Sequence, residues 1–283
     1  MKLSDLIGQK VVMATMHTKE RAFGPVLAKR LGLDLVVPAG LNTDVLGTFT
    51  GDVPRLGTIE ETAIAKAWLG AKKTDFAFAL ANEGAYGPHP HLPFIGAGLE
   101  VAVLLDTLTG RVVREHILDE RPVYDHITYG SQTELDDFLD RIGFPQQAII
   151  LRHRDKCDQI FKGIKDRDYL CTALTALSKY PAADTILIQT DMRAHHNPRR
   201  METLGRLAEK LADRVANTCP ACDAVGFGLT GTRKGLRCAG CGHPTELVVT
   251  EIWSCTACQH LSPRPRGDGL AEADPAQCGR CNP

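Results

Sequence analysis

NTCPACDAVGFGLTGTRKGLRCAGCGHPTELVVTEIWSCTACQHLSPRPRGDGLAEADPAQCGRCNP, residues 217–283, is the stretch that divides the chain. Eight of the ten cysteines lie in it, as four Cys-x-x-Cys pairs: Cys219/Cys222, Cys238/Cys241, Cys255/Cys258 and Cys278/Cys281. Large apolar residues are too few here to build a conventional core, so metal has to substitute for one. In a reducing compartment a pair at this spacing reads as two thiolate ligands rather than a disulfide. Four pairs make two tetrahedral sites with no open position, which is the chemistry of structural zinc. Iron–sulfur clusters also take four cysteines, but the Cys-Ala-Gly-Cys-Gly-His-Pro-Thr turn is more typical of a zinc ribbon.

Three pairings are open. The run Thr245 to Cys255 reads as one strand joining the second and third knuckles, which favours a nested order: Cys238/Cys241 with Cys255/Cys258, and the outer pairs together. Sequential and cross-braced orders are the alternatives. His243 and His260 lie near knuckles and read as turn residues. This stretch carries six Lys or Arg and six Asp or Glu, and each four-thiolate zinc site would add about two negative charges. Such a surface is ill suited to clamp phosphate backbone, so packing on the rest of the chain or on a protein partner is its expected role.

Residues 1–216 have a different pattern. Val11 to Ala14 is a short apolar run followed by a helical stripe over Arg21 to Leu31, ending at Gly32. Leu33 to Val37 is a second strand, and a Gly- and Thr-rich loop runs on to Gly57. Thr58 with Glu61 forms a capping box opening a helix. Phe76 to Ala81 reads as a buried strand entering a loop over Asn82 to Pro93. Glu100 to Asp106 and Arg111 to Leu118 form a hairpin. Ser131 with Glu134 caps a helix to Ile142; a strand (Ala148 to Leu151), a helix (Asp168 to Lys179), a strand (Thr185 to Gln189) and a helix (Met201 to Ala216) follow. The alternation predicts an α/β fold with a mixed, largely parallel sheet and flanking helices over residues 1–216, plus a C-terminal zinc-ribbon-like domain with two four-cysteine sites over 217–283. Cys157 and Cys171, alone in the first part, read as small buried residues.

The whole chain has 283 residues, 43% hydrophobic and 24% charged, with 33 Lys plus Arg against 34 Asp plus Glu. A balance this even argues against extensive DNA binding. The start of the chain has no apolar stretch of the length a signal-peptide core needs. The best membrane candidate, Pro93 to Leu108, is interrupted by Glu100 and Asp106. A cytoplasmic protein is expected.

In an α/β sheet, ligands collect at the carboxyl ends of strands. Five polar clusters lie there: Thr15 to Glu20; Asn42-Thr43-Asp44 with Gly47 to Gly51; Asn82-Glu83-Gly84 with Gly87 to His91; Asp106; and Gln189 to Pro198. Carboxylates beside Lys and Arg are what a magnesium and phosphate site requires. Glu83, Asp106 and Asp191 are the candidates for Mg2+. Lys19, Arg193 and Arg199 are candidates for phosphate, with Asp44, Lys66, His89 and Asn197 as further substrate contacts. His17 or His195 is the candidate general base, since imidazole titrates near working pH.

The motifs Ala14-Thr15-Met16-His17-x-Lys19-Glu20, Thr43-Asp44-x-x-Gly47-Thr48-Phe49-Thr50-Gly51, Glu83-Gly84-x-x-Gly87-Pro88-His89-Pro90 and Thr190-Asp191-Met192-Arg193-Ala194-His195-x-Asn197-Pro198, with the terminal Cys-Asn-Pro, resemble an uncharacterised bacterial family across the whole chain. Residues 10–116 are also similar, in the order of Ala-Thr-x-His-x-Lys, Glu61-x-Ala63-x-x-Lys66-Ala67, Glu83-Gly84 and Asp106, to the inosine/xanthosine triphosphate pyrophosphatases. That resemblance implies Lys19 and Lys66 on phosphate and Glu61 and Glu83 on magnesium. His17 stands where that family has Asn, and the half after residue 130 has no counterpart in it.

The expected function is therefore a metal-dependent hydrolase acting on a phosphorylated small molecule, most simply a nucleotide. The competing reading is a non-enzymatic adaptor, whose α/β part binds a ligand or RNA while the zinc domain recruits a protein partner. A third, a nucleic-acid modifying enzyme, would need basic faces at Arg152-His153-Arg154 and Arg199-Arg200.

Overall fold

A computed structural model describes residues 1–48, 53–89, 91–154, 156–180 and 185–283, with the backbone alone for 156–158. The Phe49 to Gly51 part of the second cluster, Pro90 and the Cys157 side chain lie outside the described residues.

Val11, Val12, Met13 and Ala14 are all buried because their strand, β1 (Lys10–Ala14), is covered on both faces. Side chains alternate across a strand. Val11 and Met13 therefore pack with Phe23, Leu27 and Leu31 of helix α2 (Glu20–Leu31) and with Leu204, Leu207 and Leu211 of helix α6 (Pro198–Ala216). Val12 and Ala14 face Ala63, Ala67 and Ala71 of helix α3 (Ile59–Ala71). Small residues let α3 lie close: a Cβ on Gly70 would come within 2.9 Å of the Ala14 Cβ. The short helix α1 (Leu3–Leu6) precedes β1, and Leu6 joins the α2/α6 core. Gly32 ends α2 in the left-handed conformation that spares glycine a Cβ penalty. Thr58 and Glu61 form the expected capping box.

The first sheet has the order β2-β1-β3-β4-β5, with β2 (Asp34–Val36), β3 (Phe78–Pro88), β4 (Gly96–Asp106) and β5 (Val112–Asp119). Strand β1 pairs in parallel with β2 and β3, while β3, β4 and β5 are antiparallel. The sheet is mixed as expected, but among the described residues its parallel pairing is confined to β1 and its neighbours, so "largely parallel" overstates it. The segment Asn82 to Pro88 is strand, not loop, paired through to Gly96. Its polar side chains break the apolar run, yet Asn82 and Glu83 are buried on tertiary partners, and those outweigh local propensity.

A second sheet has the order β6-β9-β7-β8, built of β6 (His126–Thr128), β7 (Ile149–His153), β8 (Lys156–Ile164) and β9 (Ile186–Thr190). All its pairings are antiparallel. Ile149, Leu151, Ile164, Ile186 and Ile188 pack against helices α4 (Gln132–Ile142) and α5 (Arg167–Leu177). The opposite face turns Ile150, Arg152, Gln189 and Lys162 toward cavities shared with the first sheet. Strands β6 and β8 had no clear periodic signal; β6 has only three residues, and β8 mixes polar and apolar residues without regular alternation.

Arg200, at the start of α6, ties the two sheets together. Its Nε lies 2.6 Å from Glu100 Oε1, and another guanidinium nitrogen donates to the carbonyl of Met192. Glu100 also accepts from the Tyr86 hydroxyl at 2.5 Å and from Asn82 Nδ2 at 3.0 Å. Both charged side chains are fully buried. Burial would raise the Glu100 carboxyl, but Arg200 outweighs it and holds the group below its ordinary value. Gly84 is required beside this pair, because a Cβ there would lie 2.6 Å from the Glu100 carboxylate and 2.7 Å from Arg200.

The cysteine-rich stretch forms a three-stranded sheet, β10-β11-β12, with β10 (Gly228–Lys234), β11 (Val248–Ser254) and β12 (Leu261–Pro265). It packs on the α/β part: Val225 joins the α2/α6 core, and Arg214 donates to the carbonyls of Gly226 and Leu229 at 2.9 and 3.0 Å. Among the described residues no helix is long and apolar enough to cross a membrane.

Candidate functional site

Four of the five polar clusters send at least one side chain toward a single small cleft between the two α/β sheets. Its cavity of about 50 Å³ is lined by residues including His17, Lys19, Asp44, Lys66, Glu83, Lys162 and Arg193. The loop leaving β1 turns sharply at Thr18, whose φ of 53° is unusual for a β-branched residue. That turn aims Lys19 inward at the start of α2. Strand β3 supplies Glu83, α3 supplies Lys66, β8 supplies Lys162, and the segment after β9 supplies Arg193.

The cations are held differently. Lys19 is only 4% exposed, and its Nζ donates to the Asn82 carbonyl at 2.9 Å. Burial, then the nearby Arg200 charge, push the Lys19 ammonium down to about 7. Lys66 Nζ lies 2.6 Å from Glu83 Oε2, and an Arg55 guanidinium nitrogen lies 2.6 Å from Glu83 Oε1 and 2.7 Å from the Gly84 carbonyl. Burial opposes ionisation of Glu83, but the Lys19 and Lys66 charges outweigh it and hold its carboxyl below the usual range. Asp191 is fully buried and accepts three bonds from the Arg193 side chain, from Nε at 3.0 Å on Oδ1 and 3.2 Å on Oδ2 and from Nη2 at 2.6 Å on Oδ2.

Of the nearby histidines His17 lines the cleft, and the rings of His195 and His196 follow it in a stack outside the lining. His17 Nε2 is 3.6 Å from Asp44 Oδ1. The His17 ring stacks on His195 with centroids 5.1 Å apart, and His195 meets His196 at 3.9 Å. Burial lowers His17 below its ordinary value, with Asp44 opposing. Burial, reinforced by His196 and His17, pushes His195 down to about 4. These imidazoles are neutral at neutral pH, and the Nδ1 atoms of His17, His195 and His196 are buried without a hydrogen-bond partner. A Cβ on Gly163 would lie 2.8 Å from His196 Nε2, so β8 can approach this ring only with glycine there.

The remaining sequence-derived candidates lie elsewhere. Asp106 pairs with Phe78 at the opposite end of β3 from the cleft, roughly 17 Å from Glu83 at ~3.3 Å per residue. It accepts the backbone N–H groups of Leu108 and Thr109 at 3.0 and 3.2 Å and is a hairpin-turn residue. His89 Nδ1 accepts the N–H groups of His91 and Leu92, which ties the β3–β4 tip. Asn197 caps α6 by accepting the Arg200 N–H at 2.8 Å. Arg199 pairs with Asp119 and Glu202, and with Arg200 buried on Glu100 the Arg199-Arg200 pair offers no basic face. Glu61 is occupied by its capping box. Cys171 is exposed rather than buried, because it lies on the outer side of α5.

Glu83, Asp106 and Asp191 therefore share no site. Among the described residues, the groups of three or more His, Cys, Asp or Glu close enough to hold an ion are the two cysteine clusters. Arg55 and Lys162 belong to none of the five clusters, and His196 was marked only as a member of the Gln189 to Pro198 cluster. Lys162 lies on a strand with little periodic signal, and Arg55 lies in the long loop that ends at Gly57.

The cysteines fall into Cys219, Cys222, Cys255 and Cys258, and into Cys238, Cys241, Cys278 and Cys281. The order is cross-braced, not nested. Strands β10 and β11 are antiparallel, pairing Gly228 with Ser254 and Lys234 with Val248. The knuckle before β10 therefore meets the knuckle after β11. Cys238, just beyond β10, lies at the other end and bridges to Ala273, which brings up the last knuckle. Sulfur separations are 3.7 Å for Cys219–Cys258, Cys222–Cys255 and Cys241–Cys278, and 3.8 Å for Cys238–Cys281. A disulfide needs about 2.05 Å, whereas tetrahedral zinc with ~2.3 Å bonds needs an edge of about 3.8 Å. Backbone N–H groups of Ala221, Gly240 and Ala257 point at Cys219, Cys238 and Cys255 sulfurs, as thiolate ligands require. Both clusters can hold a zinc ion. His243 and His260 are not ligands; their carbonyls accept the N–H groups of Cys238 and Cys255 and close the knuckle turns.

No curated protein matches the chain. The model of a family described as a domain of unknown function, DUF6671, matches residues 66–283, from the cleft lysine Lys66 through all eight knuckle cysteines, and the chain belongs to that family.

Proposed function

We propose that the cleft between the two α/β sheets binds the phosphoryl group of a small molecule and hydrolyses it, and that the two cysteine clusters hold structural zinc. One observation carries the reading: Lys19, Lys66, Lys162 and Arg193, from four separate stretches of chain, line one cavity beside the His17–Asp44 pair. A cavity of about 50 Å³ suits a phosphoryl group. Glu83 in its lining is engaged by Lys66 and Arg55, and Arg193 is steadied by Asp191, which lies outside the lining. The site therefore meets an anion with side-chain cations, and magnesium enters with the phosphate.

The chemistry follows from the neutral imidazoles. With Nε2–H directed at Asp44, the buried and unpartnered His17 Nδ1 is the acceptor left for a proton from water attacking phosphorus, and the bound phosphate has to bring that water against the ring. Asp44 steadies the imidazolium that results. The lysines and Arg193 offset charge on the phosphoryl oxygens and on the leaving oxygen as the P–O bond breaks. Zinc would supply the fold of the tail and no step of the reaction, since a four-thiolate ion has no position for water.

The test is turnover. Purified protein is incubated with phosphate monoesters, sugar phosphates and nucleoside triphosphates, with and without magnesium, and phosphate or pyrophosphate is measured. Release from at least one compound, reduced on the order of 100-fold or more in His17→Gln, supports hydrolysis. Binding without release across the panel would leave the cleft a ligand-binding site and refute the hydrolase.

A further inference from the structure

A second depression, of about 210 Å³, adjoins the phosphate cleft, and the two share Ile150 in their walls. They lie along one row of the second sheet. His126 on β6 pairs with Gln189 on β9, and Gln189 pairs with Ile150 on β7. Directly paired residues point to the same face of a sheet, so these three side chains form a row leading from the second depression to the cleft. Lys162, on the neighbouring strand β8, lines the cleft at its far end.

The depression has the makings of a ring site. Tyr124 is 42% exposed and stands 6.0 Å from Tyr86, centroid to centroid. Tyr86 is fixed from behind by its bond to Glu100 and by the Arg200 guanidinium 5.5 Å from its ring centre. Buried Thr190 and Met192 close the floor, and Gln189 offers both a donor and an acceptor at the rim. An exposed aromatic face braced from below, with an amide at its edge, suits a flat heterocycle that stacks and hydrogen-bonds.

We propose that this depression is the base subsite of the same site, so that the ligand is a nucleoside phosphate whose base stacks on Tyr124 while its phosphates reach Lys19, Lys66, Lys162 and Arg193. The inference rests on the anion cleft described under Proposed function. Tyr124 lies outside the cleft and is partly exposed, so its replacement leaves the anion site intact.

Calorimetric titration of the full chain with inorganic tripolyphosphate and with ATP, GTP, CTP, UTP and ITP, all with magnesium, separates the two claims. Stacking on an aromatic side chain is worth enough to tighten binding by on the order of 10-fold. At least one nucleotide should therefore bind about that much tighter than tripolyphosphate. Tyr124→Ala should bring that nucleotide to within about twofold of tripolyphosphate and leave tripolyphosphate itself unchanged, while Tyr124→Phe keeps the preference. If tripolyphosphate binds and no nucleotide binds tighter, or if Tyr124→Ala keeps the preference, the base subsite is refuted and the anion cleft stands. If neither tripolyphosphate nor any nucleotide binds, the cleft fails and the base subsite fails with it.

Discussion

The α/β part and the cysteine-rich tail solve the same problem with different chemistry. Around β1 the chain buries apolar side chains on both faces of a sheet, with Phe23, Leu27, Leu204 and Leu207 on one side and the alanines of α3 on the other. The tail has a small cluster around Phe227, Cys219 and Cys255, and strand β10 is exposed along nearly its whole length. One part is held by area removed from water, at roughly 25 cal/mol per Å²; the other has little such area and two four-cysteine clusters that can each hold an ion. A protein built this way should come apart in two stages, and the polar cleft should sit in the part that does not need the metal.

Removing metal is the strongest way to break that contrast. Structural zinc is worth on the order of 10 kcal/mol in small modules. A strong chelator should release two zinc ions per chain, and residues 217–283 should then become sensitive to protease while the helices keep their circular dichroism. Cys278→Ser should do the same to the cluster it shares with Cys238, Cys241 and Cys281. Release of fewer than two ions, or a tail still resistant after chelation, would contradict the account.

Next in size is the buried pair joining the two sheets. Arg200→Met leaves Glu100 buried and unpaired, which costs about 3–5 kcal/mol. Urea unfolding of the zinc-loaded protein should show that loss, and Glu100→Gln with Arg200→Met should recover part of it. Equal losses in the single and double variants would mean that the pair carries no such role. Within the first core, Leu207→Ala should cost about 2–5 kcal/mol with metal content unchanged, since Leu207 is fully buried in a cluster that contains no cysteine.

The smallest effect is a pH dependence confined to the α/β part. His195 is held at about 4 against an ordinary 6.5. Between these values the unfolded chain binds more protons than the folded one, so stability rises with pH across that window and falls on acidification. His195→Asn should flatten the acid limb of thermal stability between pH 4 and 6.5. An unchanged limb would show that the stack with His17 and His196 does not hold the ring neutral.

The two parts also differ in how plainly they could be read. The knuckles are local: each pair of ligands sits within four residues, so the eight cysteines were legible at once. Their partnership was not, because it depends on β10 and β11 running antiparallel, a long-range fact. In the α/β part the apolar runs of β1 and α2 and the capping box at Thr58 were plain, whereas Asn82 to Pro88 looked like a loop. Its polar residues are stable in a strand only because Glu100, Lys66 and Arg55 meet them, from 17 or more residues away in sequence. The same reason separates Glu83 from Asp106. Both lie on strands of one hairpin, yet the register puts them at opposite ends. Residue type marked His17, Lys19 and Arg193 as candidates; it took the packing of the second sheet to add Lys162.

The claim on which the rest depends is that the cleft is a phosphate site centred on Lys19, and proton uptake tests it most directly. An anion beside Lys19 favours the charged ammonium, which burial holds at about 7. Tripolyphosphate binding at pH 7, followed calorimetrically in buffers of different ionisation enthalpy, should take up protons, and Lys19→Met should weaken binding and abolish most of that uptake. Tripolyphosphate that fails to bind, or binds with the same uptake in Lys19→Met, would contradict it.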